Sequence, residues 1–459
     1  MSTHEINVDS LYRKEAKIQP RSVTGKFARL RVLSVFILLG LFYLLPWINW
    51  GKNQIVLFDL PERKFHVFGL TFWPQDFIFL AMLLMIAGLS LFFFTALAGR
   101  LWCGFACPQT VWTELFMHIE KWVEGDRIKR IKLDRSPWNA NKIIRKSLKQ
   151  FLWIVLAIWT GFTFVGFFTP IRELALEIIT FSVSGWALFW IIFYGFATYG
   201  NAGILREQVC KYMCPYARFQ GAMFDEDTLI ITYDESRGEP RGSRKKKSDP
   251  AEQGLGSCID CTLCVQVCPT GIDIRDGLQY ECIACAACID VCDEVMEKMD
   301  YPKGLIKYST GNRMEGKTTH ILRPRILVYG AVLTALIIGL TYSIATRELV
   351  LAKFIHDRNG LFTKLDDGSI ENAYSLRLVN KTDIEHNFKV LELKPDYLNI
   401  DQDSFKLGAG ENNVFAVRLQ KKPFSGIKKA VDKVTLKIQA VDDPSIKTTL
   451  EAKFLAPSK

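Results

Sequence analysis

Two motifs are missing from this sequence of 459 residues. No Cys-x-x-Cys-His occurs, which excludes covalent haem attachment. No Gly-x-Gly-x-x-Gly follows a strand pattern, so the chain offers no nicotinamide or flavin site of its own. Lysine, arginine, aspartate and glutamate are absent, apart from the edges, from five long apolar runs. Cysteine is absent from residues 346–459. A cleavable leader is not expected either, because residues 1–30 are polar and basic and the apolar run that follows is too long for a signal core.

Apolar residues, by contrast, are abundant. Hydrophobic side chains make up 49% and aromatics 12% of the chain, with a net charge of +10. That mixture fits membrane helices joined to soluble domains. The five runs are residues 30–48, 77–98, 151–169, 178–199 and 326–345. A 19-residue helix rises about 28 Å, close to the ~30 Å thickness of the hydrocarbon core. Basic residues set the expected orientation. They crowd the N-terminal tail (Arg13, Lys14, Lys17, Arg21), the segment between the second and third runs (Arg127, Lys129, Arg130, Lys132, Arg135), and the segment between the fourth and fifth (Arg244 to Lys247, Arg323, Arg325). The N-terminus is therefore expected in the cytoplasm and the C-terminus outside it. Much of the positive charge is topology, which argues against a nucleic-acid partner.

Eight of the twelve cysteines fall within residues 258–292. They read Cys258-x2-Cys261-x2-Cys264-x3-Cys268-Pro269 and Cys282-x2-Cys285-x2-Cys288-x3-Cys292. Cysteines at every third residue supply three inward thiolates to a cubane cluster, and the fourth comes from the other half. The spacing predicts one [4Fe–4S] cluster on Cys258, Cys261, Cys264 and Cys292, and a second on Cys282, Cys285, Cys288 and Cys268. Structural zinc normally uses separated CxxC pairs instead. The second motif has Asp293 where proline is usual. So small a segment cannot build much core, and its clusters are expected to hold it folded.

The other four cysteines repeat one motif, Cys103-x3-Cys107-Pro108 and Cys210-x3-Cys214-Pro215, each after an even-numbered apolar run and preceded by an arginine (Arg100, Arg206). This reads as an internal duplication of a helical hairpin. Cysteines at i and i+4 would share one helix face, and two such hairpins could gather four thiols at the membrane surface. Soft thiolates suit Cu(I), zinc or iron–sulfur iron. Met213 and His118 lie close in sequence, but helix packing and ordinary polar satisfaction explain them better than ligation.

With its two CxxxCP motifs, eight-cysteine ferredoxin insert and five spans in this order, the chain resembles the CcoG/FixG/RdxA family, the bacterial cytochrome c oxidase accessory proteins, over nearly its whole length. The resemblance implies reduction of Cu(II) to Cu(I) for assembly of a cbb-type haem–copper oxidase. It further implies a bacterial inner-membrane location, copper ions as substrate or transiently bound ions, and oxidase assembly factors or an oxidase subunit as partners. By the same carry-over, Cys103, Cys107, Cys210 and Cys214 match the family's membrane-adjacent cysteines and are the candidate catalytic, copper-handling set. The electron donor is not specified, and the chain could pair as a homodimer. Two other functions compete: a quinol-oxidising relay to a respiratory partner, and a non-enzymatic copper-binding assembly factor.

The expected architecture is a multi-domain membrane protein. It comprises a basic tail (1–29), four membrane helices with both CxxxCP motifs (30–235), a linker (236–256), a 2[4Fe–4S] bacterial-type ferredoxin domain (257–300), a connector (301–325), a fifth span (326–345) and a C-terminal all-β domain (346–459). That last domain alternates in strand fashion at 374–380, 388–393, 404–408, 413–420, 433–441 and 448–455. Short strands at this spacing suit an immunoglobulin-like sandwich. It carries no defensible catalytic cluster and is expected to be a docking module.

Overall fold

The computed structural model describes residues 17–51, 53–245, 254–357, 360–382, 384–421 and 431–457. Arg13, Lys14, Lys246 and Lys247 lie outside the described residues, as does part of the linker. Among the described residues, five helices are long and apolar enough to cross a membrane: Lys26–Trp47, Pro74–Ala98, Ala140–Val165, Gly185–Leu205 and Pro324–Ala345. The chain divides into two compact units. One joins the residues up to Asn49 with Leu83–Ile337, and the other joins Trp50–Met82 with the residues from Ile338 onward.

Two spans begin elsewhere than the hydropathy alone indicates. The third starts at Ala140, where the Asn139 side chain accepts the Lys142 N–H at 2.8 Å and caps the helix. Its charged first turns do not stop it, because Lys142 donates to the Asp134 and Ser136 carbonyls and Lys149 meets Glu124 at 2.8 Å. The fourth starts at Gly185 rather than 178. Residues Ile171–Ile179 form a separate helix, Phe181 takes a left-handed backbone (φ 56), and Ser184 caps the span through the Ala187 N–H. Serines and a β-branched valine around that break favour a turn over a continuous helix.

The ferredoxin segment is clasped by a two-stranded antiparallel ribbon. Ile230–Tyr233 pairs with Ile306–Ser309, so the chain enters and leaves at one place. Ile231, Tyr233, Leu305 and Ile306 bury their side chains against Cys258, Cys264, Ala284 and Met296.

In the second unit the C-terminal domain is an immunoglobulin-like sandwich. One sheet orders Leu398–Ile400, Asn412–Lys421, Ile370–Asn380 and Val350–His356, with Thr363–Lys364 added beside Ile370–Asn380. The other orders Ser404–Leu407, His386–Lys394, Val431–Ala440 and Lys447–Leu455. Alternate residues of each strand point inward, and Leu376, Leu378, Phe388, Leu407, Val417, Leu436 and Phe454 are fully buried between the sheets. The six expected strands are present; Val350–His356 and the two short strands are additional. Residues 56–72 form a three-stranded meander in the same unit. Asp76 beyond it receives the Lys381 ammonium at 2.7 Å, with both side chains under a tenth exposed.

Candidate iron–sulfur and thiol site

The two ferredoxin loops repeat one backbone device. The residues either side of the middle cysteine are left-handed in both loops: Asp260 (φ 55) and Thr262 (φ 53) around Cys261, Ala284 (φ 52) and Ala286 (φ 59) around Cys285. Such a conformation is costly for residues other than glycine, and its recurrence at equivalent positions marks a functional loop. It turns N–H groups toward the sulfurs. Backbone N–H groups of Ala284, Ala287 and Val265 hydrogen-bond to Cys282, Cys285 and Cys264. An anionic cluster is stabilised by such N–H nests.

None of the twelve cysteines is paired in a disulfide. Eight of them sort around two cavities. Cys258, Cys261, Cys264 and Cys292 line the first, with Tyr233 and Arg275. Cys268, Cys282, Cys285 and Cys288 line the second, which Cys264 also borders. Four sulfurs converging on each cavity from separate loops fit one cubane each, and apart from Arg275, Thr262 and Thr270 the remaining wall is largely apolar. Among the described residues, no three Cys, His, Asp or Glu side chains converge closely enough to hold a single ion.

Asp293 has a structural consequence. In the first motif Pro269 follows Cys268, and helix Leu263–Val267 stops there, with Cys268 extended (ψ 120). In the second no proline intervenes, and helix Ala287–Met299 runs through Cys292 for two further turns. The Asp293 carboxylate then accepts the Gly304 N–H at 2.8 Å.

The CxxxCP pairs are built differently from the expected shared helix face. Cys103 sits in the short helix Leu101–Phe105, whereas Cys107 is extended (φ −60, ψ 129) and precedes helix Pro108–Glu124. Cys210 sits in a π-helical turn, Val209–Met213, and Cys214 is extended (φ −78, ψ 111) before helix Pro215–Phe219. The prolines are the cause. A residue before proline is driven from the α region, and proline itself starts the next helix. The duplication holds for the thiols and fails beyond them, since one following helix has 17 residues and the other five.

The four thiols are nonetheless brought together. Cys107, Cys103 and Cys214 lie near enough to Cys210, and Cys107 and Cys214 near enough to Cys103, that ionising one thiol opposes ionising its neighbours. Burial pushes the Cys103 thiol up to about 11 and the Cys210 thiol up to about 12, with the neighbouring sulfurs adding to it. At Cys107 burial also raises the thiol, while the N–H groups of Thr110 and Gln109 at the helix start oppose it. Gln220 Nε2 lies 3.6 Å from Cys103 Sγ. Met213 is exposed, and His118 hydrogen-bonds to the Glu114 carbonyl at 2.8 Å.

This thiol cluster adjoins the second ferredoxin loop. Cys103 and Cys210 pack against a buried group containing Ile283, Cys285 and Val291. A Cβ on Gly104 would stand 2.8 Å from the carbonyl oxygens of Ile283 and Ala284, so only glycine admits this approach. Arg100 reaches the Cys282 carbonyl at 3.4 Å and the Ala217 carbonyl at 2.6 Å. Arg31, on the first span, donates to the Cys285 carbonyl at 2.5 Å.

One feature escaped the sequence reading entirely. Glu120, 2% exposed, accepts Arg206 at 2.8 Å and Arg130 at 3.0 Å, with Lys17 and Lys149 at 3.4 and 3.7 Å. Burial alone would raise its carboxyl, but Arg206, Lys17 and Arg130 overcome this and hold it at about 2. The acid–base pattern of Pro108–Glu124 was the available signal, though it reads equally well as a solvated face.

Known proteins resemble this chain over most of its length. A profile described as a 4Fe-4S dicluster domain matches residues 205–311, and one described as the IG-like fold at the C-terminus of FixG matches 340–457. A third, described as a 4Fe-4S binding domain, matches 78–125. A FixG-related crystal structure from Vibrio parahaemolyticus aligns with 24% of this chain and 96% of its own, at 19% identity and a TM-score of 0.21. Nitrogen fixation protein FixG of Rhizobium meliloti is 40% identical over 407 residues, 81% of this chain and 78% of its own. Protein RdxB of Cereibacter sphaeroides is 41% identical (85% and 84% covered), and protein RdxA of the same organism 39% (83% and 83%). Identity of 39–41% over 81–85% of the chain means that it belongs to the FixG/RdxA/RdxB family of membrane-bound iron–sulfur oxidoreductases.

Proposed function

We propose that this chain is a cupric reductase, which reduces Cu(II) to Cu(I) for assembly of a cbb-type cytochrome c oxidase. In this reading Cys258, Cys261, Cys264 and Cys292 hold one [4Fe–4S] cluster and Cys282, Cys285, Cys288 and Cys268 the other. When bound, the clusters supply single electrons. Cu2+ takes up one electron to become Cu+, and the thiols of Cys103, Cys107, Cys210 and Cys214, releasing protons as they bind the metal, favour the softer product. Two sulfurs suffice for Cu(I), so the four thiols need not close on one ion.

The observation that carries this reading is the contact of the four-thiol cluster with the Cys282–Cys285 loop through Gly104. The basic segments support a cytoplasmic ferredoxin and a periplasmic sandwich in a bacterial inner membrane. Oxidase assembly factors or an oxidase subunit would take the copper. The test is anaerobic reduction of the purified protein, then stoichiometric Cu(II), following iron–sulfur absorbance and a Cu(I) chelator together. Cluster reoxidation matched by Cu(I) release supports the function; reoxidation without Cu(I) refutes it.

A second reading has its own observation. The 4Fe-4S binding profile at 78–125 covers Cys103 and Cys107 only, and Cys210 and Cys214 stand beside them. The four thiols would then hold a third cluster, and the chain would relay electrons to a respiratory partner.

A further inference from the structure

A cavity of about 150 Å³ lies where the first span, helix Pro108–Glu124 and the second ferredoxin loop meet. Its wall includes Cys285, a proposed cluster ligand, and Cys210 of the thiol cluster. Whatever binds there is in reach of both redox groups. The rest of the wall is divided in character. Ile18, Val32, Met117 and Val267 are apolar, whereas Arg130 and Arg206 are buried cations, each 4% exposed.

Those two arginines are incompletely satisfied. Nε of Arg130 and Nη1 of Arg206 are buried without a hydrogen-bond partner. Their shared carboxylate, Glu120, also serves Lys17 and Lys149. The connected network holds five cations (Lys17, Arg130, Lys146, Lys149, Arg206) against three carboxylates (Glu120, Glu124, Asp134), a surplus of two positive charges. The other charged residues of the wall cancel: Arg21, Arg31 and Lys121 against Glu114, Asp126 and Glu207. Unfilled buried donors with surplus positive charge call for an acceptor oxygen able to carry negative charge.

The dimensions narrow the ligand. A cavity of this volume accommodates a single benzene-sized ring. A tricyclic flavin or a dinucleotide is too large, and a bare inorganic anion would leave the apolar half empty. Ala28, Arg31 and Val32 place the wall at the first turns of a membrane span. We propose that this cavity is the electron-input site, and that its ligand is a membrane quinol whose ring fills the cavity while its tail stays in lipid. This rests on the reading that the clusters pass electrons onward, not on copper being their acceptor.

The reaction balances as QH2 → Q + 2 H+ + 2 e−. Both O–H bonds break, and two single electrons pass to the oxidised protein. With Cu(II) as final oxidant the sum is QH2 + 2 Cu2+ → Q + 2 Cu+ + 2 H+. The cationic wall favours the quinolate over the neutral quinol, so a proton leaves before the electron. Glu114 and His118, both in the wall, are the groups placed to receive it. Arg31 on the Cys285 carbonyl and Arg100 on the Cys282 carbonyl add positive charge at this loop, which favours electron uptake there.

The test uses full-length protein with a short-tail azidobenzoquinone and its unmodified parent. Photolabelling is expected within residues 18–32 or 109–117; labelling confined elsewhere overturns the proposal. Parent quinone should bind at one per chain, about tenfold more weakly in Val32→Trp and in Thr113→Phe, a loss of ~1.4 kcal/mol. The two variants come from different helices and are compared at wild-type iron content. Unchanged binding in both overturns the site, and so does displacement of quinone by inorganic phosphate, which would mark an anion site. The reduced quinone should bleach the iron–sulfur absorbance anaerobically without copper. Bleaching without later Cu(I) formation would refute the cupric-reductase reading and leave this site standing.

Discussion

The carboxylate of Asp290 accepts the backbone N–H of Ala28 at 2.7 Å, and that of Phe27 at 3.1 Å. A residue of the ferredoxin helix, 262 positions away, thus caps the first membrane span. The first-turn N–H groups of a helix have no intrahelical partner, and a carboxylate there is favoured also by the helix dipole. Gly25 is required beside it, because a Cβ there would lie 2.3 Å from Asp290 Cγ.

Asp290→Ala should therefore loosen the span from the ferredoxin domain at a cost of about 1–2 kcal/mol. Gly25→Val should cost more, since it displaces the carboxylate and adds a clash. Thermal unfolding read through iron–sulfur absorbance checks both. A Gly25→Val protein as stable as wild type would contradict the packing described.

The sorting of cysteines around two cavities predicts the effect of Cys268→Ser. Its serine faces Cys282, Cys285 and Cys288. The variant should keep the first cluster and lose the second, with iron falling from about eight to about four. Paramagnetic resonance of the reduced protein separates this from loss of the first cluster.

Changing Cys103 and Cys107 together to serine decides between the two uses of the thiol cluster. If the four sulfurs handle copper, iron stays at about eight, as two four-iron clusters require, while Cu(I) binding is lost. If they hold a third cluster, wild-type iron is about twelve and falls by about four in the variant. Iron and copper analysis of anaerobic preparations reads both outcomes.

Glu120 gives the protein a specific acid sensitivity. Its folded carboxyl titrates at about 2 against an ordinary value of 4.5. A depressed carboxyl contributes stability above its unfolded value, and that contribution is lost as pH falls from about 4.5 toward 2. The difference corresponds to roughly 3 kcal/mol. Glu120→Gln should lose about 3–5 kcal/mol at neutral pH, because Arg130 and Arg206 are left as buried charges without their counter-ion. It should also flatten the pH dependence of unfolding in that window.

Orientation is testable directly. With five spans and basic segments on one side, a fluorescent reporter that matures only in the cytoplasm should be dark when fused after Lys459 and bright before Met1. A bright C-terminal fusion would mean an even number of crossings.

Much of this was legible in the residues. Cysteines at every third residue can turn three sulfurs to one side, so Cys258, Cys261 and Cys264 gather at one cavity and Cys282, Cys285 and Cys288 at the other, while Cys292 and Cys268 cross over. A span needs a long apolar run whatever surrounds it, and the sandwich strands alternate because each has one buried face. The boundaries moved where local capping decided them, at Asn139 and Ser184. The proline in CxxxCP was visible, yet its effect runs against the shared helix face: Cys107 and Cys214 leave the helix because a proline follows. What the tertiary structure alone decided are pairings between residues far apart in sequence. Asp290 with Gly25, Gly104 with the Ala284 carbonyl, and Glu120 with Arg206 each look unremarkable in their own segments, because a carboxylate or a glycine does not announce its partner. Folding brings them within hydrogen-bonding or van der Waals distance, and burial then makes each one costly to replace.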